Sequence, residues 1–518
     1  MQKRAFSRLT AAPAACLLAY FALFAVINFI YLPRFVDGDI YADMELAREI
    51  WRQKSLFPSN WVFGNQYYTV ATPVLAALFY GLTGSMRLSM ALATTAMSAL
   101  IVWSFLWMLR PFVRERRLRL AALLLFTAAP MARDLLREDQ GQLFFTLASY
   151  YACYLITLCL VFGDYARAVT APERGLRPLP LALSLALCFL TGMQSLRQLL
   201  IMALPILALE GLRVLRREAK AATLLRAAAY TLLNLSGYGL MKLLQIPAVT
   251  IYGSVQPGGG SLPERLLGDW HALRGVTGLD SALSSSPRAF YLLFAALTAL
   301  LVPAAAWLLW KKRREAGGLG LLWLLCAASL GGVLLAGLVV EIQMRKIYLF
   351  IWYLLLALSL IPLLRALKGR GQAAALLSLC ALSLLNLWFS YGSSLRLARQ
   401  RDPAPAIALC ADAEAAGYAY LYGNWETVPA VAVWSDGALT GGFCTEAPFQ
   451  VRSSINLQDL YTDEHNDRAL YVIRDWDREG FERYCAEIGA SYEVFGVYGE
   501  WIAYHFDEQM MQIIGEGA

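Results

Sequence analysis

The chain has 518 residues, of which 58% are hydrophobic and 16% charged, with a net charge of +7 and a mean hydropathy of +0.49. A soluble domain carries about 25% charged residues, so this composition excludes a run of ordinary soluble domains along the whole length. The basic residues sit in short clusters between apolar blocks, the pattern of membrane topology and not of a nucleic-acid-binding surface.

Lys3, Arg4 and Arg8 precede an apolar run over 11–31. That run is too long for the core of a signal peptide and ends in no small-residue cleavage pattern, so it reads as a retained first span. Next comes VDGDIYADMELAREIW, Val36 to Trp51, which gathers Asp37, Asp39, Asp43 and Glu45. Ile40, Met44, Ala47 and Trp51 recur at helical spacing and predict an amphipathic helix lying in the membrane interface, its charged face away from the apolar stripe. Structurally, Asp39 suits a helix N-cap and Asp37 a solvated loop.

Further apolar blocks lie near 88–109, 120–132, 141–162, 179–192, 198–212, 227–244, 290–310, 319–340, 347–364 and 372–391. Residues 71–84 reach only about 21 Å as a helix, short of the roughly 30 Å hydrocarbon core. With 71–84 not spanning and a cytoplasmic N-terminus, the basic clusters at 110–119, 167–177, 213–226, 311–314 and 365–370 all fall inside. The rival scheme lets 71–84 span and moves Lys3, Arg4 and Arg8 outside. The first scheme predicts eleven spans. The outer face then holds 32–87, 133–140, 193–197, 245–289, 341–346 and the tail.

The second outer loop, ARDLLREDQGQLFF, concentrates Arg133, Asp134, Arg137, Glu138 and Asp139. Exposed helical salt bridges account for some of this charge. Asp139, however, stands almost at the start of a span, where an ionisable group is a functional candidate. Arg197, Arg345 and Lys346 also reach the outer ends of spans. Snorkelling to lipid headgroups is the structural reading; recognition of an anionic headgroup, with Arg gripping phosphate oxygens, is the functional one.

After Leu395 the composition changes to spaced charges and alternating apolar runs: YAYLY, AVAVW, ALYVIRD, YEVFGVY and WIAYHF. DREGFERYCAEIG predicts a helix and SDG, 435–437, a hairpin turn. A small α/β or α+β domain at 396–518 is expected, following a transmembrane domain at 1–395. It serves acceptor selection, acts as a lid, or is passive. Cys410, Cys444 and Cys485 fall in this outer domain and allow one internal disulfide at most. The three histidines lack metal-ligand spacing, and PGGGS at 257–261 lacks the strand-to-helix setting of a phosphate loop.

This order of features resembles the GT-C superfamily of integral-membrane glycosyltransferases that use polyprenyl-phosphate sugars. That superfamily includes the dolichyl-phosphate-mannose protein mannosyltransferases and the lipid A aminoarabinose transferases. The resemblance covers residues 10–395. Asp37 and Asp39, followed by Tyr41 and Ala47, match the first-loop motif, and Asp134 or Asp139 the second-loop acid. Many members carry adjacent Asp-Glu where this chain has Asp-Gly-Asp, which leaves the identity of the base open between Asp37 and Asp39. The likeness is most specific to uncharacterised bacterial membrane proteins with D-x-D here and an N-W-x-F stretch, Asn60–Phe63.

The resemblance implies a multi-pass protein of the bacterial plasma membrane with an extracytoplasmic C-terminal domain. It would move a sugar from a polyprenyl-phosphate donor to an acceptor hydroxyl of a glycan, lipid or protein on the outer face. Asp37, Asp39 and Asp139 would be the catalytic carboxylates; Arg345, Lys346 and Arg197 would meet the donor phosphate. Arg133, Asp134 and Glu138 would attend the acceptor. No cofactor is assigned, although D-x-D would suit a divalent cation held with water. The alternatives are a transporter or flippase of lipid-linked glycans, and a non-catalytic scaffold with the same fold. Transporters place charge at the midplane of interrupted helices, whereas here it gathers at the outer rim.

Overall fold

The computed structural model describes residues 2–64, 66–129, 151–171, 178–248, 261–284, 287–339, 344–443, 456–457 and 468–507. Among them, seven helices are long and apolar enough to cross a membrane: Ala11–Arg34, Met86–Leu109, Ala152–Thr170, Arg288–Lys311, Glu315–Val339, Lys346–Ala366 and Arg370–Gln400. Each coincides with an apolar block of the sequence. The helix Thr72–Thr83 has 12 residues, about 18 Å at helical rise, too short for a crossing. Arg133, Asp134, Glu138 and Asp139 lie outside the described residues, as do Cys444 and most of PGGGS.

The chain divides into two compact units. The first comprises Met1–Ala25, Thr95–Gln245 and Tyr252–Ser394. Its helices pack through small residues, as membrane helices do in the absence of a hydrophobic drive between them. Gly192 lies against the backbone of Asn234, and Gly237 against the carbonyl of Phe189. A Cβ at either glycine would overlap main-chain atoms, which fixes the close approach of helices Pro178–Gln194 and Ala221–Leu244. Some buried polar groups in this unit pair within it. Asp164 Oδ2 accepts from Arg226 Nη1 and Tyr230 Oη, both at 2.6 Å. Asn386 Nδ2 donates to the Ala128 carbonyl at 2.8 Å.

The second unit comprises Val26–Thr94, Ile246–Ile251 and Leu395–Ala518, so the first acidic segment belongs with the C-terminal one. Its two-residue ladder pairs β1, Trp61–Val62, antiparallel with β4, Asn456–Leu457. Its main sheet has five strands in the order β3-β2-β5-β7-β6. Here β2 is Tyr420–Gly423, β3 Thr440–Phe443, β5 Ala469–Arg474, β6 Glu493–Tyr498 and β7 Trp501–His505. Strands β3, β2 and β5 run parallel, and β7 and β6 close the sheet antiparallel. The helix Arg478–Ile488 covers one face through Phe481 and Cys485, which join Tyr471, Tyr504 and Phe506 in an aromatic core. This is the small α/β domain expected from the tail.

Two local expectations fail. AVAVW is not a strand: Thr427–Ala432 is helical and Val433–Ser435 a 3₁₀ turn. Asn424 Oδ1 accepts from the amides of Thr427, at 2.7 Å, and Glu426, at 3.2 Å, and so starts the turn. Full burial of Val428, Val431, Ala432 and Val433 demanded apolar residues throughout, which imitated a strand. SDG does turn the chain, with Asp436 in the left-handed region at φ 54°. It leads from the 3₁₀ turn into a strand parallel to β2, not into a hairpin. Cys410 and Cys485 are buried free thiols.

Candidate functional site

The segment Gly38–Gln53 forms the expected helix, but its start is displaced. Asp37, not Asp39, is the N-cap: its Oδ1 accepts from Ile40 N at 2.9 Å. Asp39 stands in the first turn, where a negative charge opposes the positive end of the helix dipole. The intervening Gly38 is explained by Trp425, whose indole occupies the space where a Cβ would project. The Asp-Gly-Asp spelling therefore follows from a side chain almost four hundred positions away.

The second difference concerns the helix face. Ile40, Met44 and Ala47 are buried and the helix packs on Thr72–Thr83, with Trp51 lying over Gly81. The acidic face is buried too: Asp43, Glu45 and Glu49 are at most 2% exposed. Its charges are therefore not in water. What covers it is the edge of the main sheet. Arg48 donates to Gly437 O at 3.1 Å and Thr440 Oγ1 at 3.2 Å, and Tyr41 Oη accepts from Gly441 N at 3.1 Å. The helix thereby caps the outer edge of β3, which would otherwise offer unpaired backbone groups. Glu49 pairs with Arg52 at 3.2 Å.

Burial has electrical consequences. Desolvation, helped by the neighbouring charge of Asp39, pushes the Asp37 carboxyl up to about 6, although the Ile40 amide works in the other direction. Desolvation likewise raises Glu45 to about 7, against the opposing pull of Arg48 and Tyr41. A carboxyl held near neutrality is suited to taking and returning protons. Asp39 supplies a like charge beside Asp37 from within the same segment. Asn60 Oδ1 accepts from Gln53 Nε2 at 2.7 Å, and Trp61 and Phe63 are buried, so N-W-x-F anchors the segment's end.

Arg197, Arg345 and Lys346 belong to the first unit. Arg197 lines a cavity of about 220 Å³ whose other walls are Tyr151, Tyr154, Leu200, Ile201, Tyr348 and neighbouring apolar side chains. Its guanidinium lies 5.4 Å from the centroid of the Tyr151 ring. The loop is held by Ser195, whose Oγ meets Tyr154 Oη at 2.7 Å and accepts from Arg197 N at 3.2 Å. Leu199–Ala203 is a π-helical turn, a form common at functional sites. Ser329 Oγ donates to the Ile201 carbonyl at 2.6 Å within it. Arg345 caps the short helix Lys346–Leu349 and is exposed, while the stem of Lys346 lies against Gly275. Thus Arg197 and the 344–350 stretch meet at one cavity, but Arg345 and Lys346 do not line it.

Sequence reasoning missed Glu45 and the aromatic walls around Arg197. It also missed Asp269, 6% exposed, whose Oδ1 has no hydrogen-bond partner among the described residues and whose proton affinity is raised by burial. The Y-x-x-Y of Tyr151 and Tyr154 was a usable signal, since helical spacing puts both rings on one face. Among the described residues no three His, Cys, Asp or Glu side chains are grouped so as to hold a metal ion.

No protein-family model and no curated protein matches the chain by sequence. Among solved structures it is similar to ArnT from Cupriavidus metallidurans bound to undecaprenyl phosphate, with a TM-score of 0.62 over 94% of this chain and 97% of that one. The apo state of the same protein matches at a TM-score of 0.57, over 97% and 99%. Identity is 12% in both cases. The chain has the ArnT fold. That fold is helical, with seven candidate membrane spans among the described residues and a small sheet domain near the C-terminus. At this identity, the likeness to ArnT concerns the fold, and chemistry has to be argued from the side chains.

Proposed function

We propose that the chain is a membrane glycosyltransferase that moves a sugar from a polyprenyl-phosphate donor to an acceptor hydroxyl on the outer face of the bacterial plasma membrane. The observation that carries this reading is Asp37: a carboxyl raised to about 6 by burial and by Asp39, in a chain with the ArnT fold. In the proposed step the acceptor oxygen attacks the anomeric carbon and its proton passes to Asp37. The bond from that carbon to the phosphate oxygen breaks, and polyprenyl phosphate leaves with both electrons.

Arg197 is the cation we assign to that phosphate, because its cavity joins one guanidinium to aromatic and aliphatic walls suited to an isoprenoid. Arg345 and Lys346 add positive charge on the adjoining stretch. Asp139, with Arg133, Asp134 and Glu138, keeps the acceptor-side role that the resemblance implies. On this reading residues 1–395 are the membrane domain, with 32–87 as its first outer loop, and 396–518 the extracytoplasmic domain.

The test is radiolabel transfer from a panel of polyprenyl-phosphate sugars into membranes carrying the wild-type chain or Asp37→Asn. Transfer by the wild type that the variant loses supports the reading. Equal transfer by both overturns Asp37 as the base, and transfer by neither overturns the reading.

A further inference from the structure

The second unit contains a cavity of about 390 Å³ that plays no part in the site above. Its walls include Trp434, Trp476, Trp501, Arg34, Arg474 and Glu500. Trp501 lies opposite Arg474 in the β5–β7 pairing, which fixes both at the sheet end. Arg474 Nη1 pairs with Glu500 Oε1 at 2.9 Å, and its guanidinium lies 4.9 Å from the Trp476 ring centroid. Arg34 Nη1 donates to the carbonyls of Ala398 and Arg401, at 3.1 and 3.3 Å, which holds it in the wall.

Trp476 is 65% exposed on this wall, so much of its indole is open to a ligand. Trp434, also on the wall, is only half-buried. Both groups of opposite charge are present, so the cavity is not simply a trap for anions: Glu500 would repel a phosphate that Arg474 attracted. A polyhydroxylated ring meets all of these requirements together. Its polarised C–H face packs on the negative face of an indole, and its hydroxyls donate to the carboxylate and accept from the guanidinium. The volume falls within the range of small-molecule sites, about 300–1,000 Å³.

We propose that this cavity binds a saccharide, stacked on Trp476 and hydrogen-bonded by Arg474 and Glu500. Resting on the transferase reading, this makes the acceptor a glycan. Arg34 is the last residue of a candidate membrane span, and Asp37 follows it by three positions. Three residues span at most roughly 11 Å. A sugar chain in the cavity therefore has its next units within reach of the proposed base.

The test uses the full chain in detergent and measures indole fluorescence against short chito-, cello- and galacturonate oligosaccharides. Saturable binding by the wild type, weakened about tenfold or more by Trp476→Ala and retained by Asp37→Asn, is the expected result. Trp476 is largely exposed, so its removal should leave the thermal midpoint unchanged. Arg474→Gln is a second variant with the same expectation. No saturable binding to any of the three series, or binding indifferent to both substitutions, overturns the proposal. Loss of affinity for lipid vesicles in Trp476→Ala, with saccharide binding intact, overturns it in favour of a membrane anchor. Saccharide binding without transfer from any donor would support the cavity while defeating the transferase reading; transfer without saccharide binding would do the reverse.

Discussion

The indole of Trp425 lies across the α-carbon of Gly38, in the space a side chain would need. This one contact explains why a glycine separates the two acids and why the segment cannot carry adjacent Asp-Glu in that register. Gly38→Ala should therefore expel the indole or displace the first turn of the helix, and with it the Asp37 cap. The expected outcome is a lower thermal midpoint and strongly reduced transfer. Trp425→Ala in the Gly38→Ala background should recover part of the stability, since contacting residues are not additive. Additive losses in the double-mutant cycle would show that the two residues do not compete for space.

Asp37 should impose an acidic limb on the rate. A general base works only when ionised, so kcat/KM should rise with pH and level off above about 6. Asp39→Asn removes the negative charge that helps hold Asp37 up, so the limb should move to lower pH while the plateau persists. Asp37→Asn should cost about a hundredfold or more on the plateau above about 6 and progressively less as the pH falls below it. A pH–rate profile for each variant decides this. An unshifted limb in Asp39→Asn would remove that residue from the electrostatics of the base.

Glu45 gives a prediction about stability. Its folded-state value near 7 lies above the ordinary 4.5, so between these values the folded protein binds more protons than the unfolded chain. Stability should then fall as pH rises through roughly 4.5 to 7. Glu45→Gln should raise the thermal midpoint at pH 8 and change it little at pH 5. A midpoint difference independent of pH would mean that Glu45 is not the titrating group.

This burial marks the limit of what was legible in the sequence. Seven of the eleven expected spans were legible because a long apolar run has few other uses, and so were the strands β5, β6 and β7. The charged face that carries Asp43 and Glu49 was set apart from the packed stripe, and Glu45 was missed, because helical periodicity reports only the helix itself. Their partners, Thr440 and Gly437 through Arg48, come from residues about four hundred positions on. The aromatic cavity at Arg197 was hidden for the same reason, since Tyr151, Arg197 and Tyr348 are brought together from three segments. Arg197 itself was visible because a cation interrupting an apolar hairpin is costly wherever it lies.

Ser59 offers a check on topology. It is exposed, in the turn between the acidic helix and β1. On the proposed scheme a Ser59→Cys variant in intact cells should react with a membrane-impermeant maleimide, and a reporter fused after Leu395 should report the same side. Labelling of Ser59→Cys only after permeabilisation, with an outer tail, would require 71–84 to cross and the scheme to be redrawn.

Arg197 should separate the charge of the donor from its tail. A hydrogen bond to a charged group contributes about 1.5–3 kcal/mol, which corresponds to roughly 10- to 150-fold in affinity. Arg197→Ala should weaken binding of a polyprenyl phosphate by that order while leaving the uncharged polyprenol unaffected. Arg197→Lys should fall between, because an ammonium keeps the charge but not the planar fork. Leu200→Trp, which fills the 220 Å³ cavity from the same wall, should weaken both ligands alike. Arg345→Ala should have a smaller effect than Arg197→Ala, since Arg345 is exposed and off the cavity wall. Native mass spectrometry of the detergent-solubilised chain with matched phosphate and alcohol would read all four variants. Equal loss of phosphate and alcohol in Arg197→Ala would mean that the arginine only shapes the cavity, and the phosphate would then have to be assigned to another cation.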